Sequence, residues 1–182
     1  MQNILKIVVT GPVGAGKTTF IRSISEIEVV DTDCKPTDET AELKGSTTVA
    51  MDFGRITLGD DMWVQIYGTP GQQRFYFMWD LLIQGAHAYV LLVPAHMPSS
   101  IKEARHIRSF MAQRTDIPFI VGITHTDHED AWDVEDIQCA LGDFMGEYTY
   151  SITNANEQVS VAKTLLELLP QIINTAEPSL VA

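Results

Sequence analysis

Residues 11 to 18 read Gly-Pro-Val-Gly-Ala-Gly-Lys-Thr, the order G-x-x-x-x-G-K-[ST]. Phosphate oxygens need several donors converging on one point. A tight glycine loop turns successive backbone N–H groups inward, and a helix opening behind it adds the positive end of its dipole. Gly11, Val13, Gly14, Ala15 and Gly16 are therefore candidates to hold a nucleotide's phosphates, with Thr19 following on the helix. Lys17 is spaced to reach the β- and γ-phosphates, and the Thr18 hydroxyl to bind Mg²⁺. The motif predicts phosphate chemistry but does not by itself choose the base or the reaction.

A second stretch, Gly68-Thr-Pro-Gly71-Gln72-Gln73-Arg74-Phe75, follows a β-prone run. It is similar to the Asp-x-x-Gly-Gln-x-Arg-Phe pattern of Ras-like small GTPases. The resemblance implies that Gly71 senses the γ-phosphate and that Gln72 orients the attacking water, with Gln73 or Arg74 next in line. Gln72, Lys17 and Gly71 are thus the catalytic candidates. Thr48 ends a long polar loop twenty positions before Gly68, much as in Arf-like GTPases. It is the implied switch threonine, a Mg²⁺ ligand in the GTP state, with Thr47 as the fallback.

Base recognition belongs after the run Pro118 to Ile123, where the family has Asn-Lys-x-Asp and this chain has Thr124-His125-Thr126-Asp127. A carboxylate accepts from guanine N1–H and N2–H₂ and finds neither donor on adenine, so Asp127 favours guanine. Thr124 replaces the amide that braces the phosphate loop, and His125 replaces the lysine stem that covers the base. Thr153-Asn-Ala155-Asn156 resembles the Ser-Ala-Lys box, which implies that the Ala155 backbone meets guanine O6. Two departures bear on mechanism. Gly68 lacks the aspartate that holds a metal-bound water, so metal affinity is expected to fall unless Asp52 or a loop carboxylate substitutes. Val13 stands where many relatives have a small residue, so intrinsic hydrolysis is expected to be slow.

The boxes run in order from Ile4 to about Ile173. Within the superfamily they look closest to bacterial small GTPases of the Mgl polarity type and the conservon type, which share the x-x-Pro-Gly-Gln replacement. The implied activity is a GTP/GDP switch that hydrolyses GTP with Mg²⁺. The implied partners are an activator and an exchange factor, of roadblock or longin type. Two other readings stay open, a degenerate module that holds nucleotide without turning it over and a small P-loop kinase or ATPase, though no arginine-rich lid is present.

These residues need a scaffold. Short β-branched runs at Ile4 to Thr10, Tyr89 to Pro94 and Ile117 to Ile123 alternate with helix-like stretches, which predicts parallel βαβ units. Apolar residues at nearly every position suit strands covered on both faces, hence a three-layer α/β sandwich. Val49 to Leu58 and Met62 to Tyr67 flank Gly59-Asp60-Asp61 and read as a hairpin, adding one antiparallel edge strand to a mostly parallel sheet. Asp31 to Ser46 reads as a long polar, functional loop. In the last helix, about Asn156 to Asn174, Val159, Ala162, Leu166, Leu169 and Ile173 recur at helical spacing and are expected to pack on the sheet. The division expected is a G domain over 1–175 and a short tail over 176–182.

Composition excludes more than it selects. The chain has 182 residues, 45% hydrophobic and 20% charged, which suits one packed domain. A formal net charge of −12 opposes binding to nucleic acid or an anionic membrane. Neither a signal peptide, nor a lipidation box, nor an apolar run of about 20 residues is evident, so no direct membrane anchor is expected. Cys34 and Cys139 make no disulfide framework, and a reduced cytoplasmic setting is expected. Asp52-Phe-Gly imitates a kinase metal triplet without the His-Arg-Asp partner. His125, Asp127 and His128 lack a fourth ligand for zinc. The cluster Met78, Trp79, Leu81, Leu82 and Ile83 is expected to pack the second helix.

Overall fold

The first strand, β1 (Asn3–Thr10), is exposed at its start and fully buried from Ile7 to Thr10. Such a run can satisfy its backbone only in the middle of a sheet, and its side chains alternate between the two faces with period two. In the computed structural model, which describes residues 3–31, 51–59, 61–71 and 75–176, Val8 points into one apolar core and Ile7 and Val9 into the other.

The remaining strands are β2 (Val30–Asp31), β3 (Asp52–Leu58), β4 (Met62–Gly68), β5 (Ala88–Pro94), β6 (Phe119–Thr124) and β7 (Thr149–Ile152). They form one sheet in the order β2-β3-β4-β1-β5-β6-β7. Pairings β4–β1–β5–β6–β7 are all parallel, while β3 runs antiparallel to both neighbours. The antiparallel strand expected from the hairpin is therefore present, with the two-residue β2 outside it. Gly59 takes the left-handed backbone of the hairpin turn (φ 61).

Among the described residues five helices cover the sheet: α1 (Lys17–Ile24), α2 (Tyr76–Ile83), α3 (Pro98–Ala112), α4 (Val134–Leu141) and α5 (Gln158–Ala176). Phe20 and Ile21 of α1 pack with Val161, Leu165 and Leu168 of α5 on the face that takes Ile7 and Val9. Trp79 of α2, Ile101, Ile107 and Met111 of α3 and Ile137 of α4 fill the other. Each such side chain, once buried, contributes roughly 1.5–3 kcal/mol. The three-layer α/β sandwich is the observed architecture, and among the described residues no helix is long and apolar enough to cross a membrane.

Two helices differ in detail from their sequence patterns. In α2, Trp79, Leu82 and Ile83 are buried as expected, but Leu81 is 62% exposed. In α5, the stripe Val159, Leu166 and Ile173 is exposed, and the helix packs through Val161, Thr164, Leu165 and Leu168 instead. Two stripes, about one residue out of phase, both satisfy a 3.6 period, and only the contact with α1 and the sheet chooses between them. Val159 and Leu166 of the unused stripe, with Ile24, Ala162 and Pro170, line an apolar groove on the surface.

Candidate functional site

Strand order reverses direction at β1: the chain first builds β2, β3 and β4 on one side and then β5, β6 and β7 on the other. In an open α/β sheet the crevice at such a switch point, beyond the carboxyl ends of the strands, is where ligands bind. The loop 11–16 sits there, between β1 and α1. A Cβ at Gly11 would lie 2.4 Å from the carbonyl oxygen of Leu92 on β5, so the turn out of β1 admits glycine alone. Gly16 caps α1 in the left-handed conformation, and Phe20 N–H donates to its carbonyl at 2.8 Å.

Lys17 is only 9% exposed, and its Nζ donates to Gly11 O and Pro12 O, both at 2.8 Å. Burial pulls its pKa down to about 8, with the charges of Asp52 and Glu103 opposing. It is therefore mostly cationic at neutral pH, and it is folded over the loop that would hold the phosphates. Beside it, Thr18 Oγ1 donates to Asp52 Oδ2 at 2.6 Å. Val13 is exposed on the outer rim of the loop, and the Thr19 carbonyl accepts from Ser23 Oγ.

Gly71 comes from the other side of the crevice. A Cβ there would lie 2.8 Å from Lys17 Nζ and 3.0 Å from Val13 N, so its backbone rests against the lysine and the loop. Three contacts hold this segment in place. Thr69 N–H donates to Val9 O, Thr69 Oγ1 donates to Thr10 Oγ1 at 2.9 Å, and Trp79 Nε1 donates to Pro70 O at 3.0 Å. Trp79 is completely buried, so α2 pins the segment from behind. Sequence reading assigned Trp79 to the core alone; its indole N–H called for a buried acceptor, and Pro70 supplies one. Thr47, Thr48, Gln72, Gln73, Arg74 and Cys34 lie outside the described residues.

On the β6 side, buried Thr124 donates its hydroxyl to Ala15 O at 3.1 Å, making the brace expected of the amide it replaces. That hydroxyl has one hydrogen, so it accepts from His125 Nδ1–H at 3.0 Å, which assigns neutral His125 its tautomer. His125 has a left-handed backbone (φ 57). Its ring lies against His96 (4.4 Å between centroids), and His96 against His128 (4.9 Å). Burial lowers the His125 pKa, His96 and His128 lower it further, and Asp127 opposes them. Asp127 itself stands exposed at the rim. Ala155 is buried, its Cβ 3.3 Å from where a Gly16 Cβ would be, and Ser23 Oγ of α1 donates to its carbonyl. Four of the five boxes thus converge on one crevice, through Gly11 to Thr18, Gly71, Thr124 to Asp127 and Ala155, and the box at Thr48 lies outside the described residues.

A family model described as "conserved hypothetical ATP binding protein" matches residues 9–178. The chain belongs to this family. It is also 33% identical to an uncharacterized protein of Methanocaldococcus jannaschii over 126 residues, 69% of this chain and 73% of the relative. It is 30% identical to the Ras-related protein rapC of Dictyostelium discoideum over 69% of this chain, which spans 44% of that protein. It is 24% identical to the intraflagellar transport protein 22 homolog of Xenopus tropicalis, over 60% of this chain and 58% of that protein. This member of the ATP-binding-protein family is accordingly a P-loop nucleotide-binding protein of GTPase-like kinship.

Proposed function

We propose that the protein binds GTP and GDP with Mg²⁺, hydrolyses GTP slowly and acts as a nucleotide-controlled switch. The observation that carries this reading is the contact of Gly71 with Lys17 and Val13 N, because it leaves the segment's backbone poised where a γ-phosphate on the loop would be felt. In a GTP state the γ-phosphate would hold that segment and the loop around Thr48, and hydrolysis would release both. Loop amides and Lys17 hold the phosphates and stabilise the developing charge, and Gln72 orients the water. Thr18, Thr48 and a carboxylate supply the hard oxygen donors that Mg²⁺ prefers. The hydrogen-bonded Thr18–Asp52 pair beside Lys17 fits that donor set. Magnesium, when bound, neutralises charge on the β- and γ-oxygens.

The family's description names ATP; Asp127 supports guanine, since its carboxylate can pair with N1–H and N2–H₂ of that base and with no donor at those positions of adenine. The Gly68-Thr-Pro-Gly-Gln sequence supports kinship with the Mgl-type and conservon GTPases, and with it regulation by an activator and an exchange factor. Titration with fluorescent GTP, GDP and ATP tests the reading. Guanine nucleotides are expected to bind at least about tenfold tighter than ATP, a difference of about 1.4 kcal/mol. Asp127→Asn is expected to shift preference towards xanthine nucleotides. Equal ATP and GTP affinity in the wild type would return the base to adenine, and unchanged GTP affinity in the variant would remove Asp127 as the reader.

A further inference from the structure

Among the described residues, His125 is the one residue other than glycine with a left-handed backbone (φ 57). Outside glycine that conformation is uncommon, and it gathers at functional sites. Two contacts hold the side chain: Nδ1–H is donated to Thr124 Oγ1 at 3.0 Å, and the ring lies against His96, 4.4 Å between centroids. His96 comes from the loop between β5 and α3 and also touches the His128 ring at 4.9 Å. Its Nδ1 is buried with no hydrogen-bond partner among the described residues. Native interiors rarely leave such an atom unpaired, so a role beyond stability is called for. The titrating edge of His125 faces the phosphate loop, since Cε1, the carbon between the two nitrogens, lies 3.9 Å from where a Gly16 Cβ would stand. With the proton on Nδ1 given to Thr124, Nε2 keeps its lone pair free.

We propose that His96 is a positioning residue of the nucleotide site, holding His125 beside the phosphate loop so that nucleotide binding draws a proton from solvent onto His125 Nε2. The inference rests on the proposed nucleotide-switch reading. Phosphates held by the loop amides would bring negative charge close to this ring, and a nearby opposite charge favours the protonated form. Before binding the ring is mostly neutral at about pH 7.5, because burial, then His96 and His128, hold its pKa below the ordinary value and Asp127 alone opposes them. A base covering the ring would also disfavour its charge, but a neutral ring has no proton to lose, so a net change at that pH is uptake. The charged and titratable groups acting on His125 are His96 from the β5–α3 loop and Asp127 and His128 from its own loop. Asp130 in turn lies 3.7 Å from His128 Nδ1. The phosphate loop presents Ala15 and Gly16, which do not titrate, and Lys17 Nζ is turned to Gly11 O and Pro12 O. By linkage, affinity for nucleotide rises as pH falls through the bound-state pKa of this group and levels off below the free-state one. The competing role for His96 is packing alone, which would change affinity by the same factor at every pH.

The experiment is calorimetric titration with GDP and Mg²⁺ in buffers of different ionisation heat, which counts the protons taken up, repeated between pH 7.5 and 6.0 for the profile of affinity. A terminal phosphate titrates at about pH 6 itself, so each variant is compared with wild type on the same nucleotide. Asparagine tolerates a left-handed backbone and binds no proton, so His125→Asn should lose the uptake. Between pH 7.5 and 6.0 wild type should gain about three- to tenfold in affinity beyond the change seen in that variant. His96→Ala removes the supporting ring and should lose most of this excess. His96→Phe returns a ring without nitrogens and should restore it. Equal proton counts in wild type and His125→Asn would overturn the proposal, and that comparison stands even if His96→Ala does not fold. A His96→Ala profile parallel to that of wild type would overturn it too and leave His96 a packing residue. If wild type binds nucleotide without this excess proton, the inference fails and the nucleotide reading stands; if it binds neither GDP nor ADP, both fall.

Discussion

At Gly71 a hydrogen in place of a Cβ decides whether the segment can touch the phosphate loop, since any larger side chain would press on Lys17 Nζ and Val13 N. The backbone before Gly71 is pinned by Thr69, Pro70 and Trp79, and Gln72 follows it in sequence. Gln72→Leu keeps the size and loses the hydrogen bonds. GTP binding should stay within a few-fold while partner-stimulated hydrolysis falls at least about tenfold, roughly 1.4 kcal/mol of transition-state stabilisation. Single-turnover hydrolysis with and without cell extract as a source of activator checks this. Equal stimulated rates would pass the role to Gln73 or Arg74. Intrinsic hydrolysis should change less, because the branched Val13 side chain stands at the loop's rim, where it would crowd the water.

Loops and helix termini are tied to one another by single side chains. Thr124, at the end of β6, holds the phosphate loop through Ala15 O, and Ser23 of α1 holds the loop after β7 through Ala155 O. The hydroxyl of Thr124 is a shorter substitute for an amide, with one donor where an amide has two. Thr124→Val is nearly isosteric but leaves the Ala15 carbonyl without this partner and frees His125 Nδ1–H as well. Loss of a buried partner costs about 1–3 kcal/mol, so the variant should unfold at a lower temperature and bind nucleotide more weakly, with its base preference intact. Calorimetric unfolding with and without GDP measures both effects. A variant with wild-type Tm and affinity would show that the brace is unimportant.

Across the whole molecule the charge of −12 and the imidazole of His125 act in opposite senses on acidification. Protonating carboxylates relieves the general repulsion between like charges. His125 behaves differently: its folded pKa lies below the ordinary value, because of burial and then of His96 and His128, with Asp127 opposing. The unfolded chain therefore binds its proton first. Stability from this group is full above about pH 6.5, is lost as pH falls below that value, and stops falling once the folded pKa is passed. Asp143 works further down the scale. Burial would raise its pKa, but hydrogen bonds from Glu147 N–H, Tyr148 N–H and Tyr150 OH hold it below the usual range. Its contribution is present at neutral pH and lost only in strong acid. Comparing Tm of wild type and His125→Gln between pH 7.5 and 5.5 isolates the imidazole, since the general charge effect is common to both. The wild type should lose more stability than the variant over that interval; parallel curves would remove His125 from the account.

Local chemistry was legible without coordinates. The loop from Gly11 to Thr18 declared itself because phosphate binding demands glycines, a lysine and a hydroxyl at fixed spacing, and the buried parallel strands because they are apolar at nearly every position. The hairpin turn at Gly59 was legible for the same local reason. What depended on distant parts of the chain was not. Phase along α5 was misread because two stripes of equal quality compete, and only packing against α1 and the sheet buries Val161, Leu165 and Leu168 in preference to Val159 and Leu166. The hydrogen bond from Trp79 to Pro70, the bond from Thr124 to Ala15 and the tilted ring contacts of His96 with His125 and His128 join residues whose separations carry no periodic signal. Asp52 shows the division most clearly. The sequence offers it only as an alternative to a loop carboxylate in place of the aspartate missing at Gly68, and the pairing of β3 with β4 sets it opposite Gly68 and against Thr18, because register is a property of two strands together.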